Sequence, residues 1–315
     1  MDGDWTGDWS DPAHWADDKG GDCIGWPCTA DTTARIPQGT VALDVSVTLG
    51  WIEFGTDGTV TIEGPGTLDF PSQHYEGQWL LVPNGADVVL ANGATMDLKK
   101  GSLALSATSR SQTNYAARVT VSDGAHLAMQ AFVMSYGGVF VLDDATARLW
   151  GVYFGHGASA TGRSGFPATG GTLRLAGEAP LLTLTENLRY YNTAGVTAGG
   201  AIEFRVPKGG FAATPLVMTG TGSGQTFCGD ANVADRAAPI LVRLAADSPV
   251  YSAAGTIDVE LATWRVAHTD GASLVSLVAP RAAEKDPEHR RLYLAADDLS
   301  LRLVYRGGGT LVLIK

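Results

Sequence analysis

No stretch of this chain approaches the roughly 18 consecutive apolar residues that a membrane-spanning helix requires, so no span is expected. Charge is scarce. Asp, Glu, Lys and Arg together make up 17% of the residues, below the usual quarter of a soluble domain. The basic sign is the scarcer one, 22 residues against 33 acidic, and the net charge is −11. Nucleic acid and anionic membrane are held by clustered Lys and Arg, and neither is expected as a partner. The common catalytic signatures are missing as well: there is no G-x-S-x-G elbow, phosphate loop, H-E-x-x-H pair, EF-hand loop or dinucleotide fingerprint. The opening Met1-Asp2-Gly3-Asp4 has neither the basic start nor the apolar core of a signal peptide, a pattern expected of a mature chain.

Hydrophobic residues reach 45% and glycine 40 residues. That composition suits many short strands joined by tight turns rather than helices rich in Glu, Lys and Arg. Val41 to Leu49 and Thr59 to Glu63 alternate apolar and polar residues, which puts one side of a strand inward. A degenerate motif recurs: a turn residue, Gly, Ala, then alternating apolar residues. It appears at Asn84-Gly85-Ala86, Asn92-Gly93-Ala94 and Asp123-Gly124-Ala125, with looser copies starting at Asp144, Gly170, Gly199 and Asp270. Asn, Asp and Gly accept the left-handed backbone of a sharp corner, and Ala keeps the corner thin. Irregular spacing between copies is expected when only some corners of each coil are tight, and a generic β-meander would show it too.

Residues 1–37 form a distinct N-terminal segment with Trp5, Trp9, Trp15 and Trp26 and many aspartates; residues 38–315 form the repetitive part. Asp11 and Pro12 suit the cap and first position of one helical turn. Aromatics ahead of a repetitive β region predict a cap over the open end of a stacked core. Cys23 and Cys28 fall in one irregular loop and predict a small disulfide, leaving Cys228 as a buried thiol. Zinc would need a second pair or nearby histidines, and His14 is the only local one. Residues 230–238 read as a short helix or loop. Residues 281–292, polar and broken by Pro287, read as an exposed loop or one helical turn. Leu299–Tyr305 and Thr310–Ile314, separated by Gly307-Gly308-Gly309, predict a closing hairpin.

The opening Gly7-Asp8-Trp9-Ser10-Asp11-Pro12-Ala13-His14-Trp15, followed by Arg35-Ile36-Pro37 and Gly-punctuated strands, resembles the start of secreted bacterial β-helix proteins with autotransporter-type repeats. The Trp9/Asp11/Trp15 spacing carries the resemblance over roughly residues 1–50, and the remainder follows in style. It implies an all-β chain of the pectin-lyase-like fold, a right-handed parallel β-helix, secreted or displayed at a cell surface. It brings no catalytic motif, so no residue roles come with it.

The leading expectation is a non-catalytic secreted or cell-surface structural or adhesion module with a strand-rich C-terminal end. The alternative is a polysaccharide-active enzyme, lyase or glycosidase, or a glycan-binding protein using a lateral face of the coil. Its candidate residues are His156, Arg163, Arg189 and Tyr190, the one place where His, Arg and Tyr mix. A glycosidase needs two carboxylates across a cleft. Asp143-Asp144 is the one tempting pair, but neighbours in a strand point to opposite faces. The aspartates of the first 22 residues offer oxygen ligands for calcium, but their spacing is unremarkable for a calcium loop, and solvation and helix capping explain the same residues. The expected partners are polysaccharide or cell-surface components.

Overall fold

The computed structural model describes residues 5–15, 27–56, 58–70, 79–83, 85–99, 101–105, 117–134, 137–154, 168–169, 171–190, 196–198, 200–221, 227–228, 240–267, 275–278, 290–294 and 299–306. Strands dominate throughout. Ten of them stack in parallel as one sheet, called sheet 1 below. It starts at Trp5–Asp8, then takes Gly39–Ala42, Gly58–Glu63, Ala86–Ala91 and Arg118–Ser122. Val139–Asp143, Thr172–Ala176, Ala201–Phe204, Ile240–Leu244 and Val275–Leu277 complete it. A strand that returns in parallel to its own sheet needs a crossover. Here the crossover is itself β-structure, because the intervening residues supply a second stack.

That second stack, sheet 2, contains Val47–Thr48, Thr67–Asp69, Thr95–Asp97, His126–Met134, Thr146–Phe154, Leu181–Tyr190 and Leu216–Met218, all parallel. Its long strands turn onto a third face. Trp79–Val82 and Ser102–Leu105 pair with each other, and the latter pairs with Ala131–Met134, the second half of His126–Met134. Gly151–Phe154 and Asn187–Tyr190 continue the same column. At its start Thr33–Ile36 pairs with Trp51–Phe54. Among the described residues the turns of the chain up to Leu181–Tyr190 thus visit three faces, and the fold is a parallel β-helix. Parallel crossovers wind right-handed in nearly all folds, the sense expected from the sequence.

Successive rungs of sheet 1 are unequal. Arg118 pairs with Val139, a step of 21 residues, and Val139 pairs with Thr172, a step of 33. Three successive corners between sheets 1 and 2 are nevertheless alike. Asn92, Asp123 and Asp144 all have φ near +50°. Gly93 donates its N–H to the Asp123 carbonyl and Gly124 to the Asp144 carbonyl. Ala94, Ala125 and Ala145 follow these corners and are buried. The Asn/Asp-Gly-Ala motif is therefore the corner piece of the coil.

Inward positions stack like on like. On sheet 1, Val60, Val88, Val119, Phe140, Leu173, Ile202 and Val242 form one continuous buried row. On sheet 2, Val47, Leu68, Met96, Leu127, Ala147, Leu182, Leu216 and Ala262 form another. A core of this kind lengthens with each coil and needs no spherical interior. Phe132 and Phe140 stack across it, centroids 4.2 Å apart and 14° from parallel.

The N-terminal segment is built into the coil. Trp5–Asp8 is the first rung of sheet 1, in register with Gly39–Ala42. A single 3-10 turn, Pro12–His14, follows, with Asp11 accepting from the Ala13 N–H. Trp9 is fully buried; its Nε1 donates to the Pro27 carbonyl at 2.9 Å. Trp15 tilts against it at 4.9 Å and donates Nε1 to the Trp9 carbonyl.

The other end departs from expectation. Ser300–Arg306 is a strand, but both its flanks are taken, by Thr256–Thr263 and by Arg290–Leu294, each antiparallel. Thr310–Ile314, the partner expected for Leu299–Tyr305, lies outside the described residues; the hairpin partner described is Arg290–Leu294. Residues 281–292, polar and broken by Pro287, read as an exposed loop or one helical turn, yet Arg290–Leu292 begin this strand. Reversal of direction at the last strands ends the parallel stack. Val41–Leu49, read as one strand, is two, Gly39–Ala42 and Val47–Thr48, on different faces. Val41, Leu43, Val47 and Leu49 are all buried, so the inward alternation continues around the corner. Residues 230–238 lie outside the described set.

Candidate functional site

The cluster singled out by sequence falls only partly within the described residues. His156 and Arg163 lie outside the described residues. Arg189 and Tyr190 end the strand Leu181–Tyr190, where Arg189 is in register with Tyr153 and Tyr190 with Phe154. Arg189 is half-buried on the outer side of the third face. Beside it Tyr153 is buried, and the Asn187 amide donates to its hydroxyl at 3.2 Å. The Tyr153 ring lies over Gly151, where an added Cβ would come within 2.9 Å of it. Tyr153, Asn187 and Arg189 thus form a polar cluster where most outward positions carry smaller groups. Tyr153 opens the sequence segment that contains His156, whereas Asn187 was not singled out from sequence. Tyr153 reads there as one of four consecutive apolar or aromatic residues, and only the register shows that it faces outward.

A second assembly escaped the sequence altogether. On the outer side of sheet 1, Arg174, Glu203 and Arg243 stand on three successive rungs in register. Arg243 donates Nε and Nη2 to Glu203 Oε1, at 2.9 and 2.6 Å. Arg174 Nη2 donates to both oxygens of Asp247 at 2.5 and 2.6 Å, and Arg205 Nε reaches the same carboxylate at 3.1 Å. Burial pushes the Asp247 carboxyl up, but the hydrogen bond and charge of Arg174 and the bond from Arg205 outweigh it, and the group sits below its ordinary value. Asp143, on the neighbouring rung, moves the other way. Burial raises it first, then the Asp144 charge, while Arg205 opposes. A signal was present: Arg174 and Glu203 each stand third after the glycine of a looser motif copy, Gly171 and Gly200.

The outer side of sheet 2 carries a third set. Lys99, in left-handed backbone, donates Nζ to Asp69 at 2.8 Å and to Asp97 at 2.6 Å, and these bonds hold its ammonium above its ordinary value. His126 Nδ1 shares a hydrogen bond with Thr146 Oγ1 at 2.7 Å. Burial lowers its pKa, with Asp97 opposing and Arg148 assisting.

The expected chemistry can be placed against this. Asp143 and Asp144 do diverge. Asp144 turns into the corner, where its Oδ1 accepts the backbone N–H of Glu178 at 2.5 Å and of Ala179 at 2.8 Å. Of the N-terminal aspartates, Asp8 and Asp11 are described, and Asp11 is occupied as a helix cap. Among the described residues no group of three or more His, Cys, Asp or Glu is placed to hold a metal. Cys228 is a buried free thiol, and burial raises its pKa. Cys28 packs partly buried against the core, and Cys23 lies outside the described residues. No described helix is long and apolar enough to cross a membrane. Comparison with protein-family models, with curated proteins and with solved structures returned no match to this chain.

Proposed function

We propose that this chain is a non-catalytic structural or adhesion module of the secreted or cell-surface type, a rigid β-helix that spaces and displays its lateral faces. The supporting observation is the outer side of sheet 1. Arg174 and Arg205 are joined across coils to Asp247, and Arg243 to Glu203, and the same outward row on the rungs before them presents Thr or Val: Thr40, Thr61, Val89, Thr120 and Val141. Catalysis needs titratable groups that converge on an open reacting position. Carboxylates held by arginines on a flat face serve instead to fix register, with about 0–1 kcal/mol of stability per exposed pair. The proposed Cys23–Cys28 disulfide belongs with this reading, since such bonds persist in oxidising compartments.

A second reading, a polysaccharide lyase, glycosidase or glycan binder, draws support from one feature, the Tyr153–Asn187–Arg189 cluster. One screen separates the non-catalytic module from the enzyme of the second reading. Purified protein is incubated with acidic and neutral polysaccharides, and unsaturated products and new reducing ends are followed. No turnover is expected. Turnover that disappears in Arg189→Ala, His156→Ala or Arg163→Ala would establish the second reading.

A further inference from the structure

Along Thr146–Phe154 the exposed positions alternate: Thr146, Arg148 and Trp150 face out while Ala147, Leu149 and Gly151 are buried. Trp150 is 38% exposed, and it is the aromatic among the exposed large hydrophobics of the described residues. It stands at the bend between sheet 2 and the third face. On one side Met129 pairs with Leu149 and Ala131 with Gly151, which sets Gln130 opposite Trp150. On the other side Leu149 pairs with Leu184 but Gly151 with Asn187, so Thr185 and Glu186 together oppose Trp150 alone. A bulge of this type bends the strand and re-aims a side chain, and bulges gather beside functional sites. Arg148, two residues back on the same side, is flanked by the shorter Ala128 and Thr183.

An indole face is electron-rich and attracts polarised C–H groups. The axial C–H face of a pyranose ring supplies them, and its rim of hydroxyls needs both donors and acceptors. Around Trp150 these are the Arg148 guanidinium (donor), the Gln130 amide (both) and the Glu186 carboxylate (acceptor). The net charge of −11 and the adjacent Glu186 disfavour a polyanion. We propose that Trp150, with Arg148, Gln130 and Glu186, forms a stacking subsite for a pyranose ring of a neutral polysaccharide. The inference rests on the non-catalytic reading and takes up the glycan binding of the second one, placing it at Trp150 rather than at the Tyr153–Asn187–Arg189 cluster.

Native gels containing hydroxyethylcellulose, glucomannan or xylan, with polygalacturonate as the anionic comparison, measure the binding by retardation of the full chain. The wild type is expected to be retarded by at least one neutral polysaccharide, equally at about 0.05 and 0.5 M salt, because no ion pair to the ligand is there to be screened. Trp150→Ala is expected to bind about tenfold more weakly, the scale of one aromatic contact, and Trp150→Phe to retain most of the affinity. An unchanged unfolding midpoint in Trp150→Phe keeps the comparison meaningful if the alanine variant folds poorly. No retardation by any neutral polysaccharide, binding to polygalacturonate alone, or equal binding by wild type and Trp150→Ala would overturn the subsite. Binding that survives in Trp150→Ala leaves the adhesion reading standing. Cleavage of a glycan whose binding requires Trp150 overturns the non-catalytic reading and supports the subsite.

Discussion

The corner at Asp144 permits a test in which backbone strain and hydrogen bonding are separated by three substitutions. Asp144 has φ +49° and its carboxylate accepts two backbone N–H groups of the next coil, from Glu178 and Ala179. Asn tolerates the left-handed region and keeps an acceptor oxygen, so Asp144→Asn should cost about 0.5 kcal/mol, the difference between a charged and a neutral acceptor at an exposed site. Asp144→Gly keeps the backbone but releases both N–H groups to water, at roughly 1 kcal/mol each. Asp144→Ala loses the same bonds and adds the left-handed penalty of a Cβ, about 1 kcal/mol more. The expected order of stability is therefore Asp, Asn, Gly, Ala, with a total fall of about 3 kcal/mol at the last. Urea titration followed by circular dichroism measures it, with constant slopes showing that the change lies in the midpoint. Alanine as stable as asparagine, or glycine less stable than alanine, would refute the assignment of this corner. Gly177 gives a cross-check: its φ is +85° and a Cβ there would sit 2.4 Å from the Asp144 Cγ, so Gly177→Ala should match or exceed the Asp144→Ala loss.

Asp143→Asn should stabilise the protein near neutral pH. Burial favours the protonated carboxyl in the folded chain, so the group's contribution is complete below the unfolded-state value and is lost as pH rises through the folded one. The advantage of the amide should shrink to nothing toward about pH 4, and a parent and variant with equal midpoints at neutral pH would contradict it. Non-reducing peptide mapping should find one crosslink, Cys23–Cys28, and native protein should leave Cys228 unreactive to thiol reagents until it unfolds. Removing residues 1–37 takes away the first rung of sheet 1 and the buried Trp9, so the truncated chain should aggregate; a soluble monomer as heat-resistant as the parent would show the segment to be an appendage. Phe132→Ala should cost about 3–5 kcal/mol by chemical denaturation, since it empties a fully buried site and removes the stack on Phe140.

What the sequence reveals of this fold is local, and what it hides depends on register. Asp123-Gly124 and Asn92-Gly93 announce their corners because very few residue types accept that backbone. Asp11-Pro12 announces its turn for a similar reason. Alternation in Thr59–Glu63 reports one buried side correctly. It fails in Gly151–Phe154, where all four residues are buried, because the outward Tyr153 ring lies over Gly151 and its hydroxyl accepts from Asn187. It fails again at Arg290–Leu294, where paired arginines obscure a real strand. The ionic ladder of Arg174, Glu203, Arg243 and Asp247 spans residues up to 73 apart. No window of sequence contains it, and only coils of unequal length aligned rung by rung bring it together. The Tyr153–Asn187 contact was hidden for the same reason, 34 residues apart in the chain.

A single column of coils, lined up rung by rung, underlies everything proposed for this protein. Thr59 and Leu241 stand in one outward row of sheet 1, linked through Asp87, Arg118, Val139, Thr172 and Ala201, hence six rung spacings apart. Parallel strands lie about 4.8 Å apart, which places the two backbones about 29 Å from each other. Spin labels on Thr59→Cys and Leu241→Cys, in a chain whose buried Cys228 is replaced by Ala, report that distance by pulsed electron resonance. One narrow distribution centred near 29 Å, widened only by the label linkers, is the expected result. A broad distribution, or a centre displaced by two or more rungs, would contradict the stacked column and the faces built on it.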